Sequence, residues 1–312
     1  MSEVIVSIYV PTFNHEKYIT RALDSILMQK TRYPYEVFVG EDCSTDNTRQ
    51  VLQAWEQEHP GKFTIFYREK NMHKSDCSNG MDLLLRCKGK YVICLEGDDF
   101  WTDPEKLEKQ VSFLENHPEY YAVAHNCTVV GEDSQPNGEQ YPECKDEEYT
   151  LAHFASDILP GQFTTLLRRN YFMDESFDKS LIMQRSGPGD RNIYFSIVSQ
   201  SRIYCIQESM SAYRHITSGG SSFSANFVYN YDNENRVLWN RIEFAKRIDN
   251  PKAIYYAHFI YLMHIRFALR KGHIPAKKAL EDARKVPKWY KFLPLMLKRD
   301  FNRFVFHKSP YV

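Results

Sequence analysis

The seven cysteines of this 312-residue chain include no C-x-x-C pair; they are scattered (Cys43, Cys77, Cys87, Cys94, Cys127, Cys144 and Cys205) and odd in number. That pattern argues against a structural zinc site or a disulfide framework and fits a reducing cytoplasm. Charge of one sign is lacking too, since 40 basic residues face 40 acidic ones. No general nucleic-acid-binding surface is therefore expected. No apolar run is long enough to span a bilayer. A strand pattern begins almost at once, without the basic segment and apolar stretch of a secretory leader. Internal repeats and low-complexity segments are absent. The expected protein is soluble or at most peripheral, with length for one large domain or two smaller ones.

Strands and helices alternate with short connections through the first 116 residues. Val4 to Val10 reads as a buried strand, and Tyr18, Ala22, Leu23, Ile26 and Leu27 recur at helical spacing after it. Glu36 to Gly40 gives a second strand, Asp46 to Glu58 a helix, Phe63 to Tyr67 a third strand and Asp76 to Cys87 another helix. Tyr91 to Leu95 is a fourth strand, and Pro104 opens the next helix. This alternation predicts a doubly wound, mostly parallel α/β sheet. Beyond it, Ala122 to Val130 reads as a strand and Gly131 to Glu148 as an exposed polar excursion. Strand-rich stretches surround Phe163 to Leu167 and Ile203 to Tyr213, with a helix at Arg191 to Ser199 between them. After Ser224 the chain is mainly helical.

The fourth strand ends in three carboxylates, Glu96, Asp98 and Asp99, around Gly97. Carboxylates gathered at the end of an apolar strand need a cation or other strong partners. Hard oxygen ligands suit Mg²⁺ or Mn²⁺, which usually hold phosphate as well. A solvated acidic turn ahead of the next helix is the structural alternative. Two more strand ends carry Pro11-Thr12-Phe13-Asn14 and Gly40-Glu41-Asp42-Cys43-Ser44-Thr45-Asp46. In a doubly wound sheet such loops share the rim where ligands bind.

The ordered strings V-S-I-Y-V-P-T-F-N, E-V-F-V-G-E-D-C-S-T-D-N-T and E-G-D-D-F-W-T-D-P-E-K-L resemble the family-2 inverting glycosyltransferases of GT-A fold. The resemblance covers the first hundred-odd residues. It implies that Pro11, Thr12 and Asn14 line a nucleotide pocket and that Asp42 contacts the base with Glu41 nearby. Glu96-Gly97-Asp98 would stand for the family's D-x-D motif, Glu96 reaching a ribose hydroxyl and Asp98 or Asp99 binding the metal. Asp46 reads instead as turn and cap chemistry. Asn71 and Asn79 would fix the loop before the acidic strand, and Lys74 would meet phosphate.

In the second half, Ser186-Gly187-Pro188-Gly189-Asp190 resembles the segment that supplies the family's catalytic base. Asp190 would take the acceptor's proton; a plain helix cap is its alternative. Tyr213-Arg214-His215 resembles the family's Y-R-x-H segment, which implies that Arg214 or His215 reaches the diphosphate and that the Ser/Gly run after it closes over donor. Trp101 would sit under a sugar or acceptor ring, with core packing as its alternative, and Gln162 would face the acceptor.

The expected organisation is a GT-A domain over 1–223, with a nucleotide-binding half to about 116 and an acceptor half after it, and a mainly helical region over 224–312. The implied partners are a nucleotide-sugar donor, expected to be a UDP-sugar, and a glycan or lipid-linked acceptor. A sugar-phosphate nucleotidyltransferase is the rival enzyme, but no glycine-rich loop follows the first strand; a non-catalytic nucleotide-binding or scaffold protein is the other alternative. Ile254 to Leu269 reads as a buried helix. Tail helices bearing Lys288, Lys291, Lys298, Arg299 and Arg303 carry the alternative of peripheral contact with the inner face of an anionic membrane.

Overall fold

The structure, a computed structural model, describes residues 4–73, 77–184, 189–216 and 228–306, with side chains of the last segment to residue 299. Lys74, Ser186 to Pro188, the Thr217 to Ser222 run and the side chain of Arg303 lie outside the described residues.

The alternation expected for the first half is present. It runs β1 (Val6–Thr12), α1 (Ile19–Leu27), β2 (Tyr35–Glu41), α2 (Thr48–Glu58), β3 (Thr64–Tyr67), α3 (Asn79–Arg86), β4 (Tyr91–Cys94), β5 (Phe100–Trp101) and α4 (Lys106–Asn116). The chain continues through β6 (Tyr120–Val130), β7 (Glu148–Tyr149), α5 (Leu151–Ala155), β8 (Leu167–Arg169), α6 (Gly189–Gln200) and β9 (Arg202–Arg214). Four helices follow: α7 (Tyr231–Arg247), α8 (Pro251–Arg270), α9 (Ala276–Ala283) and α10 (Leu293–Phe306).

The sheet order is β3-β2-β1-β4-β8-β6-β9-β5, with β7 paired to β9. β1 pairs in parallel with β2 and β4, β2 with β3, and β6 with β9, while β8 runs antiparallel between β4 and β6. This is the mixed, mostly parallel sheet of a GT-A fold. β1 and β4 read as nearly unbroken apolar runs because helices cover both faces of a parallel sheet. Ile8, Val10, Ile93 and Leu95 are fully buried against Ile19, Leu23 and Ile26 of α1 and Leu107 and Val111 of α4, within one core cluster. Trp55 of α2 joins that core and donates its Nε1–H to Asp24 of α1 at 2.9 Å, which fixes the two helices side by side. Gly131 to Glu148 is the irregular, largely exposed excursion the sequence predicts.

The chain divides into two compact units. One comprises Met1–Thr150, Leu159–Lys179 and Ser201–Phe227; the other comprises Leu151–Ile158, Ser180–Gln200 and Val228–Val312. The second is helical, and Asn230 and Asn250 cap α7 and α8 by accepting from backbone N–H groups. Pro251 in the first turn of α8 needs no hydrogen-bond acceptor there. The buried helix expected at Ile254 to Leu269 lies within α8, with Ala257, Tyr261, Leu262, Ile265 and Ala268 inward.

Candidate active site

The three strand-end loops meet through their main chains. In register, Pro11 stands beside Gly40 and Thr12 beside Glu41. The Asp42 N–H donates to the Thr12 carbonyl at 3.0 Å and the Gly97 N–H to the Pro11 carbonyl at 3.2 Å. Gly97 is required at that approach: a Cβ there would stand 2.6 Å from Thr12 Oγ1 and 2.8 Å from His15 Nδ1. Asn14 adopts a left-handed conformation (φ 57°), which asparagine tolerates. It ties the first loop to the second, its side-chain oxygen accepting from the Thr45 N–H at 2.8 Å and its own N–H donating to Ser44 Oγ at 3.0 Å.

Glu41 is fully buried, and both its oxygens are engaged by the protein. One accepts from the Ser44 N–H at 2.6 Å, the other from Arg49 Nε at 2.6 Å. Asp42, one residue on, accepts from the Met72 N–H at 2.8 Å. Burial pushes its carboxyl above the usual range against the lowering effect of that N–H. Asp46 accepts from both the N–H and the hydroxyl of Thr48 at the start of α2, the turn chemistry expected of it. Asn71 donates to the Asp42 carbonyl and Asn79, the first residue of α3, to the Gly40 carbonyl, so both asparagines reach across to the end of β2 and the loop after it.

The acidic loop holds three differently placed carboxylates. Asp99 is buried, accepting from the Arg214 N–H at 2.8 Å and from Thr164 Oγ1 at 3.3 Å. Burial raises its pKa far above the ordinary value, and the charges of Asp98 and Glu96 add to that. Asp98 is open to solvent at 26 % of its side chain, with Oδ2 3.8 Å from His15 Nε2. Glu96 is half-buried, and Gln162 Nε2 lies 3.5 Å from its Oε2. Gln162 also accepts from the Thr164 N–H, which fixes the segment that touches Asp99. Small hard cations beside phosphates are usually held by one or two carboxylates together with ligand oxygens.

Arg214 is buried and turned into the protein. Its Nε donates to the Asp98 carbonyl at 2.9 Å, and its terminal nitrogens donate to the carbonyls of Gly131 and Glu132 and to Ser134 Oγ. Its guanidinium lies 4.0 Å over the Tyr18 ring. His215 pairs through Nδ1 with Glu139 Oε2 at 2.5 Å. Trp101 departs from the sugar-platform expectation. It is 1 % exposed, its backbone N–H donates to Ser25 Oγ, and the buried Lys106 ammonium lies 4.2 Å from its ring. The apolar neighbours of β5 draw the indole into the core, so packing is its role.

Eleven of the predicted positions thus share one rim or brace it: Pro11, Thr12, Asn14, Glu41, Asp42, Glu96, Gly97, Asp98, Asp99, Gln162 and Arg214. His215 follows directly on β9. Asp190 lies in the second unit, in the first turn of α6, where its Oδ1 accepts from the Arg191 N–H at 2.6 Å. Sequence reasoning missed His15, which touches both Thr12 and Asp98, and Arg49, which balances buried Glu41. It also missed Glu139, the partner of His215. A lone histidine, arginine or glutamate carries no spacing signal. Only contact with partners 3 to 83 residues away in the chain, now folded together, reveals them.

Residues 7–174, more than half of the chain, match the family model described as Glycosyl transferase family 2. The chain is 34% identical over 171 residues to uncharacterized protein Rv1520 of Mycobacterium tuberculosis, an alignment covering 55% of this chain and 45% of that one. It is 38% identical over 179 residues to chondroitin synthase of Escherichia coli, covering 57% and 24%. The chain thus spans less than half the length of these relatives. Among solved structures, residues 1–349 of TarS from S. aureus with UDP-GlcNAc match with a TM-score of 0.61 at 18% identity, over 85% of this chain and 73% of that one, a likeness of fold. With the strand-end loops assembled as described, the chain belongs to glycosyltransferase family 2.

Proposed function

We propose that the protein is a metal-dependent inverting glycosyltransferase that moves a hexosyl group from a UDP-sugar to a hydroxyl of a glycan or lipid-linked acceptor in cell-surface polysaccharide assembly. The cytoplasm, where its seven free cysteines stay reduced, would be its compartment. The observation that carries the reading is the convergence of three strand-end loops on Asp98, an accessible carboxylate beside two others with no lysine or arginine paired to its side chain among the described residues. Carboxylates gathered at the carboxyl end of a parallel sheet are suited to a divalent ion and a diphosphate together.

In this reading Pro11, Thr12 and Asn14 shape the floor of the nucleotide pocket. Asp42 accepts from the base, and Glu41, whose oxygens are engaged by Ser44 and Arg49, holds the Asp42 loop in place. Glu96 accepts from a ribose hydroxyl. Asp98 holds Mn²⁺ or Mg²⁺; Asp99 braces that loop from beneath. Bound there, the metal would neutralise charge on the departing diphosphate. His215 lies beside the same end of β9 and meets the diphosphate, with Glu139 fixing its ring. Asp190 takes the proton of the acceptor hydroxyl as general base. A single displacement by that hydroxyl inverts the sugar carbon.

The test is nucleoside diphosphate release from UDP-, GDP- and dTDP-sugars with Mn²⁺, beside EDTA and Asp98→Ala controls. Metal-dependent release from one donor is expected. Release of pyrophosphate would point to a nucleotidyltransferase, and no release from any donor would remove the catalytic reading.

A further inference from the structure

Between Asp282 and Asp300 the sequence holds no acidic residue and six basic ones: Arg284, Lys285, Lys288, Lys291, Lys298 and Arg299. Two of these are engaged within the second unit. Lys285 pairs with the buried Asp282 at 2.7 Å, and Arg299 donates to the Ala155 carbonyl and to Asp157 at 2.8 Å. Lys288, Lys291 and Lys298 are exposed and form no ion pair among the described residues.

The apolar residues of the same stretch face two ways. Phe292, Met296 and the Arg299 stem, spaced four and three apart, turn inward, and the Phe292 ring centroid lies 5.1 Å from that of Tyr255. Leu293, Leu295 and Leu297 turn outward at 37 %, 38 % and 56 % exposure, and Tyr290 adds to them at 56 %. A surface helix ordinarily presents charge to water and buries its apolar stripe. Here the inner side is anchored, and the arc facing away from it carries Leu293 and Leu297 one turn apart, Leu295 on its other flank and Lys298 between them. Three exposed leucines within five residues are more apolar surface than a water-facing helix ordinarily shows.

We propose that this face docks on an anionic lipid surface, with Tyr290, Leu293, Leu295 and Leu297 entering the boundary between headgroups and acyl chains. Lys288, Lys291 and Lys298 then lie against lipid phosphates. An interfacial helix whose outward arc mixes leucines with a lysine, and which follows a turn bearing an exposed aromatic and further lysines, has this chemistry, the lysine stems reaching up to the phosphates. The contact is peripheral: among the described residues no helix is long and apolar enough to cross a membrane. A second copy of the chain fits less well. A two-fold contact would set the same patch against itself, bringing the free lysines together with no carboxylate between them. The inference goes beyond the transferase reading and does not depend on it.

Flotation of the full chain with vesicles tests the proposal, using phosphatidylcholine alone and phosphatidylcholine mixed with phosphatidylglycerol. The protein is expected to float with the mixed vesicles only, and less so as salt is raised. Replacing all three lysines, Lys288→Gln with Lys291→Gln and Lys298→Gln, should lower partitioning on the order of a hundredfold, at about fivefold per lysine. Leu293→Ser with Leu295→Ser and Leu297→Ser should lower it by about tenfold or more. Thermal unfolding should stay where it was, because the replaced side chains are exposed. Should the leucine variant not fold, the lysine variant and the salt series carry the test. No flotation, equal flotation of the variants, or equal flotation on neutral vesicles would overturn the proposal. So would a leucine-sensitive rise in sedimenting mass with concentration and no flotation, which would assign the face to self-association.

Discussion

Arg214 holds Asp99 by its main chain while holding the residue before it by its side chain. The Arg214 N–H donates to Asp99 Oδ1 at 2.8 Å and its Nε to the Asp98 carbonyl at 2.9 Å. The remaining donors reach Gly131, Glu132 and Ser134, so one guanidinium fastens the acidic loop to the start of the excursion. Loss of the side chain takes a donor from the Asp98 and Glu132 carbonyls in a partly buried place. Arg214→Ala should therefore cost about 2–4 kcal/mol of stability, and Arg214→Lys should recover only part of it, since one ammonium cannot reach all the acceptors. Urea midpoints of the donor-free protein check this. An arginine reserved for the diphosphate would leave those midpoints unchanged and raise only the Kd for donor.

Neighbouring Asp98 and Asp99 should separate in their effects. Asp98 is accessible and makes no close hydrogen bond with its carboxylate, whereas Asp99 is buried with both oxygens engaged. Asp98→Asn should leave the metal-free melting temperature in place and lower Mn²⁺-dependent turnover by about a hundredfold or more. Asp99→Asn removes a carboxyl whose ionisation burial opposes, while its amide oxygen can still accept from Arg214. It should leave the melting temperature unchanged or raised, with a smaller loss of turnover. Melting curves and diphosphate release on the two variants decide it, and the reverse pattern would give Asp99 the metal.

Gly97→Ala should be more damaging than a one-methyl change suggests. The added carbon would meet Thr12 Oγ1 at 2.6 Å and Thr12 Cβ at 2.8 Å, and the Gly97 N–H is held by the Pro11 carbonyl. Relief requires the two loops to part, at about 1–3 kcal/mol. The expected result is a lowered melting temperature together with weaker binding of UDP-sugar by calorimetry. An unchanged Kd would mean that the loops can separate without disturbing the pocket.

The first half of the chain was legible because its signals are local. Apolar runs, helical spacing and turn residues all sit within a few positions of one another, so the order of β1 to β4 and α4 could be read directly, though not the two-residue β5 between them. The excursion at Gly131 to Glu148 was legible for the same reason. What could not be read is which way a rim side chain turns. Arg214 and Glu41 sit in the segments expected, yet both are engaged by protein groups, one through carbonyls of a loop some 80 residues earlier in the chain and the other through Arg49. Trp101 was ambiguous between platform and core because two residues of β5 give no periodicity to choose by. Its burial against α1 and the Thr164 carbonyl is a tertiary outcome.

The helical unit carries a pH-dependent element of its own. His264 of α8 stacks on Tyr231 of α7 with ring centroids 5.1 Å apart and planes 8° from parallel, and the Tyr231 hydroxyl donates to buried Asp282 at 2.7 Å. Burial pushes His264 down from its ordinary value to about 4. Between that pH and 6.5 the unfolded chain binds a proton at this site that the folded one does not, so stability falls as pH is lowered through the window. The full effect, about 3 kcal/mol, is reached only below pH 4. Asp282 responds lower still. Although burial raises it, hydrogen bonds from Lys285, Tyr231 and Lys278 bring it below the usual carboxylate range, so its contribution is present above that range and lost beneath it. His264→Phe keeps a ring on Tyr231 and removes the titration. Urea midpoints from pH 7 to pH 4.5 should decline less steeply for His264→Phe than for the parent chain. Parallel declines would mean that the imidazole reaches solvent when protonated and does not report on the packing of α7 against α8.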